Sequence, residues 1–226
     1  MTARPRRKDD PARQSIPLAM ARRFAARVVR MYFRVDIRGL EHLPKTGPVL
    51  IAGNHTGWLD GPLVQMLLPR PCAFLVKSEL YSGPWRVVLD FARQIPIRRG
   101  APDRTALRRA QDVLAGGGVL GVFPEGTRGV GALETVQHGI GYIALRAESA
   151  GVQCPIIPVV CTGTAEALPR GAKLPKFRTP VSIVFGPTFT LDVDGNPRAR
   201  STVGAAAEQI RVRLLDHLET VSRDAA

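Results

Sequence analysis

Between residues 16 and 35 apolar side chains return at helical spacing (Leu18, Ala21, Phe24, Ala25, Val28, Met31, Tyr32, Val35), while Arg23, Arg27, Arg30 and Arg34 return at steps of four, three and four. The pattern predicts an amphipathic basic helix over 16–35. Two surroundings suit it: an anionic membrane surface, with arginines on headgroups and the apolar side on acyl chains, or the protein's own core. Beyond it, short apolar runs at 48–52, 72–76, 95–97, 119–123, 156–160 and 181–185 read as strands. Helical patterns over about 58–68, 84–92, 103–115, 140–150 and 202–221 fall between or after them. This alternation predicts an α/β fold, a mixed and mostly parallel sheet flanked by helices. Asp103 is placed to cap the helix it precedes, and Gly116-Gly117-Gly118 stops that helix before the next strand. The three glycines precede a strand and lack the GK[ST] ending of a phosphate loop, so they read as a connection.

A chain of 226 residues suits one well-buried core, so 16–226 is expected to form a single domain. Residues 1–15 are charged, carry two prolines and have no periodicity, and are expected to be a disordered basic arm. The net charge of +13 predicts attraction to polyanions: nucleic acid, anionic lipid headgroups or phosphorylated substrates. The excess is concentrated in the first 38 residues and aromatics make up only 6%, without a stacking strip, which weighs against nucleic-acid binding as the function and predicts no specific nucleic-acid partner. Cys72, Cys154 and Cys161 form neither a CxxC pair nor a zinc spacing, so no metal is expected and the thiols read as buried in a reducing compartment. No apolar run approaches the roughly 20 residues of a spanning helix, and arginines interrupt the stretch a signal peptide would need. The protein is expected to remain in the cytoplasm.

Of four histidines, His42 and His217 read as surface or packing residues and His138 as a loop residue. His55 leaves the apolar run at 49–52 through Gly53-Asn54, and Asp60 follows five residues later. On one regular helix the two would stand about 140° apart, so they meet only if His55 lies in a turn and Asp60 in the first turn of the following helix. Gly53, Thr56 and Gly57 permit such a turn. A carboxylate on Nδ1 would fix the tautomer and leave Nε2 to take a proton from a hydroxyl; a purely structural turn gives the same spacing. After the run at 119–123, Pro124-Glu125-Gly126-Thr127-Arg128 places a carboxylate, a glycine, a hydroxyl and a guanidinium where open sheets bind ligands, and suits a phosphate. Arg98 and Arg99 follow a third apolar piece at 95–97, and Lys77 and Glu79 follow a fourth. None of the serines stands in a GxSxG elbow, which sets aside a serine hydrolase.

These pieces together resemble the glycerolipid acyltransferase family, the lysophospholipid acyltransferases that include 1-acylglycerol-3-phosphate acyltransferase. Asn54-His55-Thr56-Gly57-Trp58-Leu59-Asp60 resembles the HxxxxD block, Ile95 to Arg99 the second block, Phe123 to Arg128 the third, and Pro155-Ile156-Ile157-Pro158-Val159 the apolar fourth, all in the family's order. Members often carry Ser where this chain has Gly57 and Gly129, and Lys where it has His138. The resemblance implies transfer of a fatty acyl chain from acyl-CoA or acyl carrier protein to the hydroxyl of a lysophospholipid, by default 1-acylglycerol 3-phosphate, giving phosphatidic acid. Glycerol 3-phosphate, another lysophospholipid or a glycolipid are alternative acceptors. It further implies His55 and Asp60 as the catalytic pair, Arg99, Glu125, Gly126, Thr127 and Arg128 at the acceptor, no cofactor beyond the thioester co-substrate, and action at an anionic membrane surface.

Overall fold

Runs of Val, Ile and Leu pair into one seven-stranded sheet, described here by a computed structural model that covers residues 16–98, 100, 103–126 and 133–224. The strands are β1 (Arg34–Arg38), β2 (Val49–Gly53), β3 (Cys72–Lys77), β4 (Ile95–Ile97), β5 (Val119–Val122), β6 (Ile156–Thr162) and β7 (Pro180–Phe185), in the spatial order β1-β7-β6-β2-β5-β3-β4. Five neighbours from β6 to β4 run parallel; β7 is antiparallel to β6, and β1 parallel to β7. The result is a single α/β domain with a mixed, mostly parallel sheet. The basic arm 1–15 lies outside the described residues.

β2 is buried along its whole length because it has helices on both sides, which is why it reads as an unbroken apolar run. Val49 and Ile51 face one layer, formed by α1 (Ile16–Tyr32) and α2 (Asp60–Leu67). Leu50 and Ala52 face the other, formed by α4 (Arg104–Ala115), α5 (Gly139–Ser149) and α7 (Arg200–Asp224). A short helix α3 (Gly83–Phe91) links β3 to β4, and a single turn α6 (Thr164–Ala167) follows β6. Asp103 caps α4, its side chain accepting the Ala106 N–H at 3.0 Å.

Two elements differ from the sequence expectation. The N-terminal helix ends at Tyr32, and Arg34–Arg38 turns into an edge strand pairing in register with β7 from Arg34↔Pro180 to Arg38↔Val184. Five residues of alternating polar and apolar character satisfy a half-buried strand, and here sheet pairing overrides the continuing helical period. α6 is a single turn of four residues, too short to carry an apolar stripe that registers as a helix.

α1 is anchored by Arg22 as well as by Leu18, Val29 and Phe33 on the same side. The buried guanidinium donates to the carbonyls of Gln65 (3.3 Å), Leu68 and Arg70 (3.0 Å), satisfying the C-terminal end of α2 and its exit. Burial pushes the Arg22 guanidinium below its ordinary range, an indication of how much solvation it has given up. Replacing Arg22→Met keeps the apolar stem and strands these carbonyls. It should cost about 2 kcal/mol, the worth of hydrogen bonds to a charged group, read as a lower urea midpoint for unfolding.

Candidate active site

The C-terminal ends of three adjacent central strands converge on one place: His55 follows β2, Glu125 follows β5 and Thr164 follows β6. The turn after β2 is fixed first by Asn54. Its buried amide donates to the carbonyl of Cys161 at 3.0 Å and accepts the N–H of Cys161 at 2.7 Å, extending the β2–β6 pairing with a side chain in place of backbone. The next residue's backbone N–H donates to Glu125 Oε1 at 2.7 Å, so His55 is tied to β5 as well.

Asp60 is the first residue of α2 and is fully buried. One carboxylate oxygen, Oδ2, accepts the backbone N–H groups of Thr56 and Gly57, each at 2.9 Å, and lies 2.9 Å from His55 Nδ1. The other, Oδ1, accepts the hydroxyl of buried Thr164, whose oxygen is 3.1 Å from that of Thr56. The N-terminal end of α2 favours negative charge at this position. An ionised carboxylate only accepts, so this contact favours the tautomer with the imidazole proton on Nδ1 and the lone pair on Nε2. Among the described residues Nε2 has no hydrogen-bond partner. The sequence-proposed pair is therefore brought together, with His55 in the turn and Asp60 at the helix start.

The imidazole is also held from its face. Phe123 stacks on it with centroids 4.5 Å apart and planes 13° from parallel, and Phe74 stacks on Phe123 at 5.3 Å and 14°. Gly121 makes room for this pile: a Cβ there would come within 2.2 Å of the Phe74 ring. Gly57 is required for a similar reason, since its Cβ would lie 2.7 Å from the carbonyl carbon of Thr164. The positions where family members often carry Ser thus include one with no space for a side chain in this chain.

Glu125 is half-buried, and burial pushes its carboxyl above the ordinary range, opposed by the hydrogen bond from His55 N–H. Gly126 adopts φ 69° in the turn after it. Arg99, Thr127 and Arg128, together with Gly129, lie outside the described residues. Lys77, the last residue of β3, and Glu79 form an exposed ion pair of 3.2 Å. His42 Nδ1 and His217 Nε2 bond the carbonyls of Phe185 and Val184, at 3.1 and 3.0 Å, and His138 is exposed just before α5. Sequence reasoning did not single out Thr164, Asn54 or the ring of Phe123. The only sequence signal for any of them was the position of Asn54 and Phe123 beside the two polar blocks; Thr164 had none. Among the described residues no group of three His, Cys, Asp or Glu side chains is placed to hold a metal ion.

A family model described as Acyltransferase matches residues 34–162, more than half of the chain and all of the strands that carry this geometry. The chain belongs to the Acyltransferase family. It is 26% identical over 171 residues to the chloroplastic 1-acyl-sn-glycerol-3-phosphate acyltransferase LPAT1 of Arabidopsis thaliana, a stretch covering 73% of this chain and 46% of that one. It is 33% identical over 132 residues to the 1-acyl-sn-glycerol-3-phosphate acyltransferase alpha of Mus musculus, covering 56% and 45%. The chain spans about half the length of the curated relatives it matches. The crystal structure of the 1-acyl-sn-glycerophosphate (LPA) acyltransferase PlsC from Thermotoga maritima shares the fold, with a TM-score of 0.63 at 23% identity over 89% of this chain and 80% of that one.

Glu125→Gln tests the anchoring of the His55 turn. Glutamine retains an acceptor for the His55 N–H and removes a partly buried charge. Since the folded-state carboxyl lies above its unfolded value, ionisation weakens the fold as pH rises past the ordinary carboxylate range, and the penalty is absent below it. The variant should therefore melt higher than the wild type at pH 8 in a thermal scan, with the difference shrinking as pH falls.

Proposed function

We propose that this acyltransferase moves a fatty acyl chain from acyl-CoA or acyl carrier protein to the hydroxyl of a lysophospholipid, with 1-acylglycerol 3-phosphate as acceptor and phosphatidic acid as product. The observation that carries the reading is the Nε2 of His55, unpartnered among the described residues, on a ring oriented by a fully buried carboxylate at the ends of three central strands. The names of the relatives supply the acceptor class.

In this mechanism the acceptor hydroxyl gives its proton to His55 Nε2 as its oxygen attacks the thioester carbonyl. Asp60 orients the imidazole and stabilises its charged form while the tetrahedral intermediate exists. Collapse expels the thiolate of the donor, which takes up the proton from His55; the C–S bond is exchanged for a C–O ester bond and no enzyme nucleophile is used. Glu125 and Gly126 form the turn beside His55, and with Thr127, Arg128 and Arg99 they are proposed to hold the acceptor phosphate, for which guanidinium forks are suited. No helix among the described residues is long and apolar enough to cross a membrane. The exposed arginines of α1 suit an anionic surface, and we propose peripheral action on the inner face of the cell membrane.

Thiol release from palmitoyl-CoA, followed with a panel of glycerol 3-phosphate, 1-acylglycerol 3-phosphate and other lysolipids, should be acceptor-dependent and fastest with 1-acylglycerol 3-phosphate. His55→Ala should lower the rate by about 10²–10⁴-fold, the usual contribution of a positioned general base. Asp60→Asn, which replaces an acceptor oxygen by a donor among four donors, should fall into the same range. A folded His55→Ala protein as active as wild type would remove His55 from the mechanism.

A further inference from the structure

α3 is an apolar helix without a buried residue among the described residues. Trp85 is 56% exposed, Val87 71%, Val88 52% and Phe91 49%, on a helix only nine residues long. Its two charged residues, Arg86 and Asp90, pair with each other at 3.7 Å, and the contiguous apolar surface left beside them is of a kind that is normally covered. α3 is not isolated from the active site: Trp85 meets Trp58 edge-on with centroids 6.2 Å apart, and Trp58 sits on the turn between His55 and Asp60. The other end of α3 reaches α2, where Gln65 Nε2 approaches the Ala92 carbonyl at 3.5 Å.

The remaining exposed apolar side chains fall on the same layer of the sheet. Met20, Phe24, Val28 and Met31 form a stripe on α1 facing away from its anchored side. Leu174 and Phe177 adjoin it, with Phe177 edge-on to Tyr32 at 5.3 Å. Of thirteen exposed large apolar residues among those described, only Val212, on α7, lies on the opposite layer. Residues 16–32 and 170–178 hold arginines and lysines and no acidic residue, and near α3 the two exposed carboxylates, Glu79 and Asp90, are each paired with a cation, Lys77 at 3.2 Å and Arg86 at 3.7 Å, so the uncompensated charge of this face is positive.

We propose that α3 and Trp58 form a wedge that inserts into an anionic bilayer and brings the mouth of the His55 turn to the headgroup level, with α1 lying alongside. The charge distribution selects this occupant. An anionic lipid surface complements the arginines, whereas a second copy would set like charges against each other across a two-fold contact. The inference deepens the proposed reaction, from which it takes only that the acceptor resides in a membrane.

Trp58 and Trp85 are the two tryptophans of the chain, so intrinsic fluorescence reports on this wedge directly. Adding vesicles of phosphatidylcholine and phosphatidylglycerol should shift the emission to the blue, and brominated acyl chains should quench it, in the wild type and in Trp58→Phe, which leaves Trp85 as the probe. A Val87→Ser, Val88→Ser, Phe91→Ser variant, altered only at exposed positions, should lose at least about tenfold in vesicle affinity, as expected for three apolar groups no longer buried in lipid. Val212→Ser should bind as the wild type does. The same triple variant should keep its thiol-release rate with a short-chain acceptor free in solution and lose rate only with acceptor embedded in vesicles. Vesicle-bound protein with unquenched tryptophan would overturn the wedge and leave α1 as the sole contact. A dimer in sedimentation with both tryptophans shielded and no vesicle binding would give the surface to a second copy instead. Quenching by lipid in a protein that releases no thiol with any donor or acceptor would uphold the wedge and remove the proposed reaction.

Discussion

The buried carboxylate of Asp60 is the constraint on which the end of the sheet that carries His55 depends. A charge removed from water is tolerated only when donors replace the solvent, and here two backbone amides, a hydroxyl and an imidazole do so. Each donor comes with a demand on the chain. The amides require the tight turn from His55 to Gly57, and the hydroxyl requires the β6–α6 junction to lie against that turn. The imidazole must enter from the same side, which Asn54 and Glu125 secure by fastening the residues before and at His55 to the flanking strands. One anion thereby specifies the relative placement of three strand ends that are far apart in sequence.

The two layers around the sheet have divided roles. α4, α5 and α7 close one side with continuous apolar packing against Leu50, Leu120 and Ile156. The other side is finished only over its centre, by α1 and α2, with polar ties such as Arg22 to the carbonyls at the end of α2.

Much of the architecture was legible because burial imposes strong patterns. Unbroken apolar runs marked the strands sandwiched between layers, and the Asp103 cap and the glycines after α4 marked its limits. Arg34–Arg38 escaped because an edge strand of five residues gives too short an alternation to outweigh the helical rhythm preceding it. At the site, the local spacing of His55 and Asp60 restricted how they could meet, since five residues leave few geometries. Thr164 was invisible for the converse reason: its contact with Asp60 spans 104 residues, and a lone threonine after a strand has no pattern of its own. Glu125 was visible as a charged residue at a strand end, but its use of a backbone amide as partner could come only from the folded positions of β2 and β5.

The close approach of Gly57 to Thr164 has a consequence for how such a site can vary between proteins. With no room for a Cβ at position 57 in this arrangement, the turn bearing the histidine and the turn after the sixth strand are a matched pair of shapes. A relative with serine at the position of Gly57 must also displace or reshape the segment corresponding to Thr164, and then support its buried carboxylate by another donor. The serine itself is a natural substitute, since its hydroxyl would arise at the place the threonine had vacated. Residues at these two positions should accordingly change together over descent, although more than a hundred positions separate them in the chain.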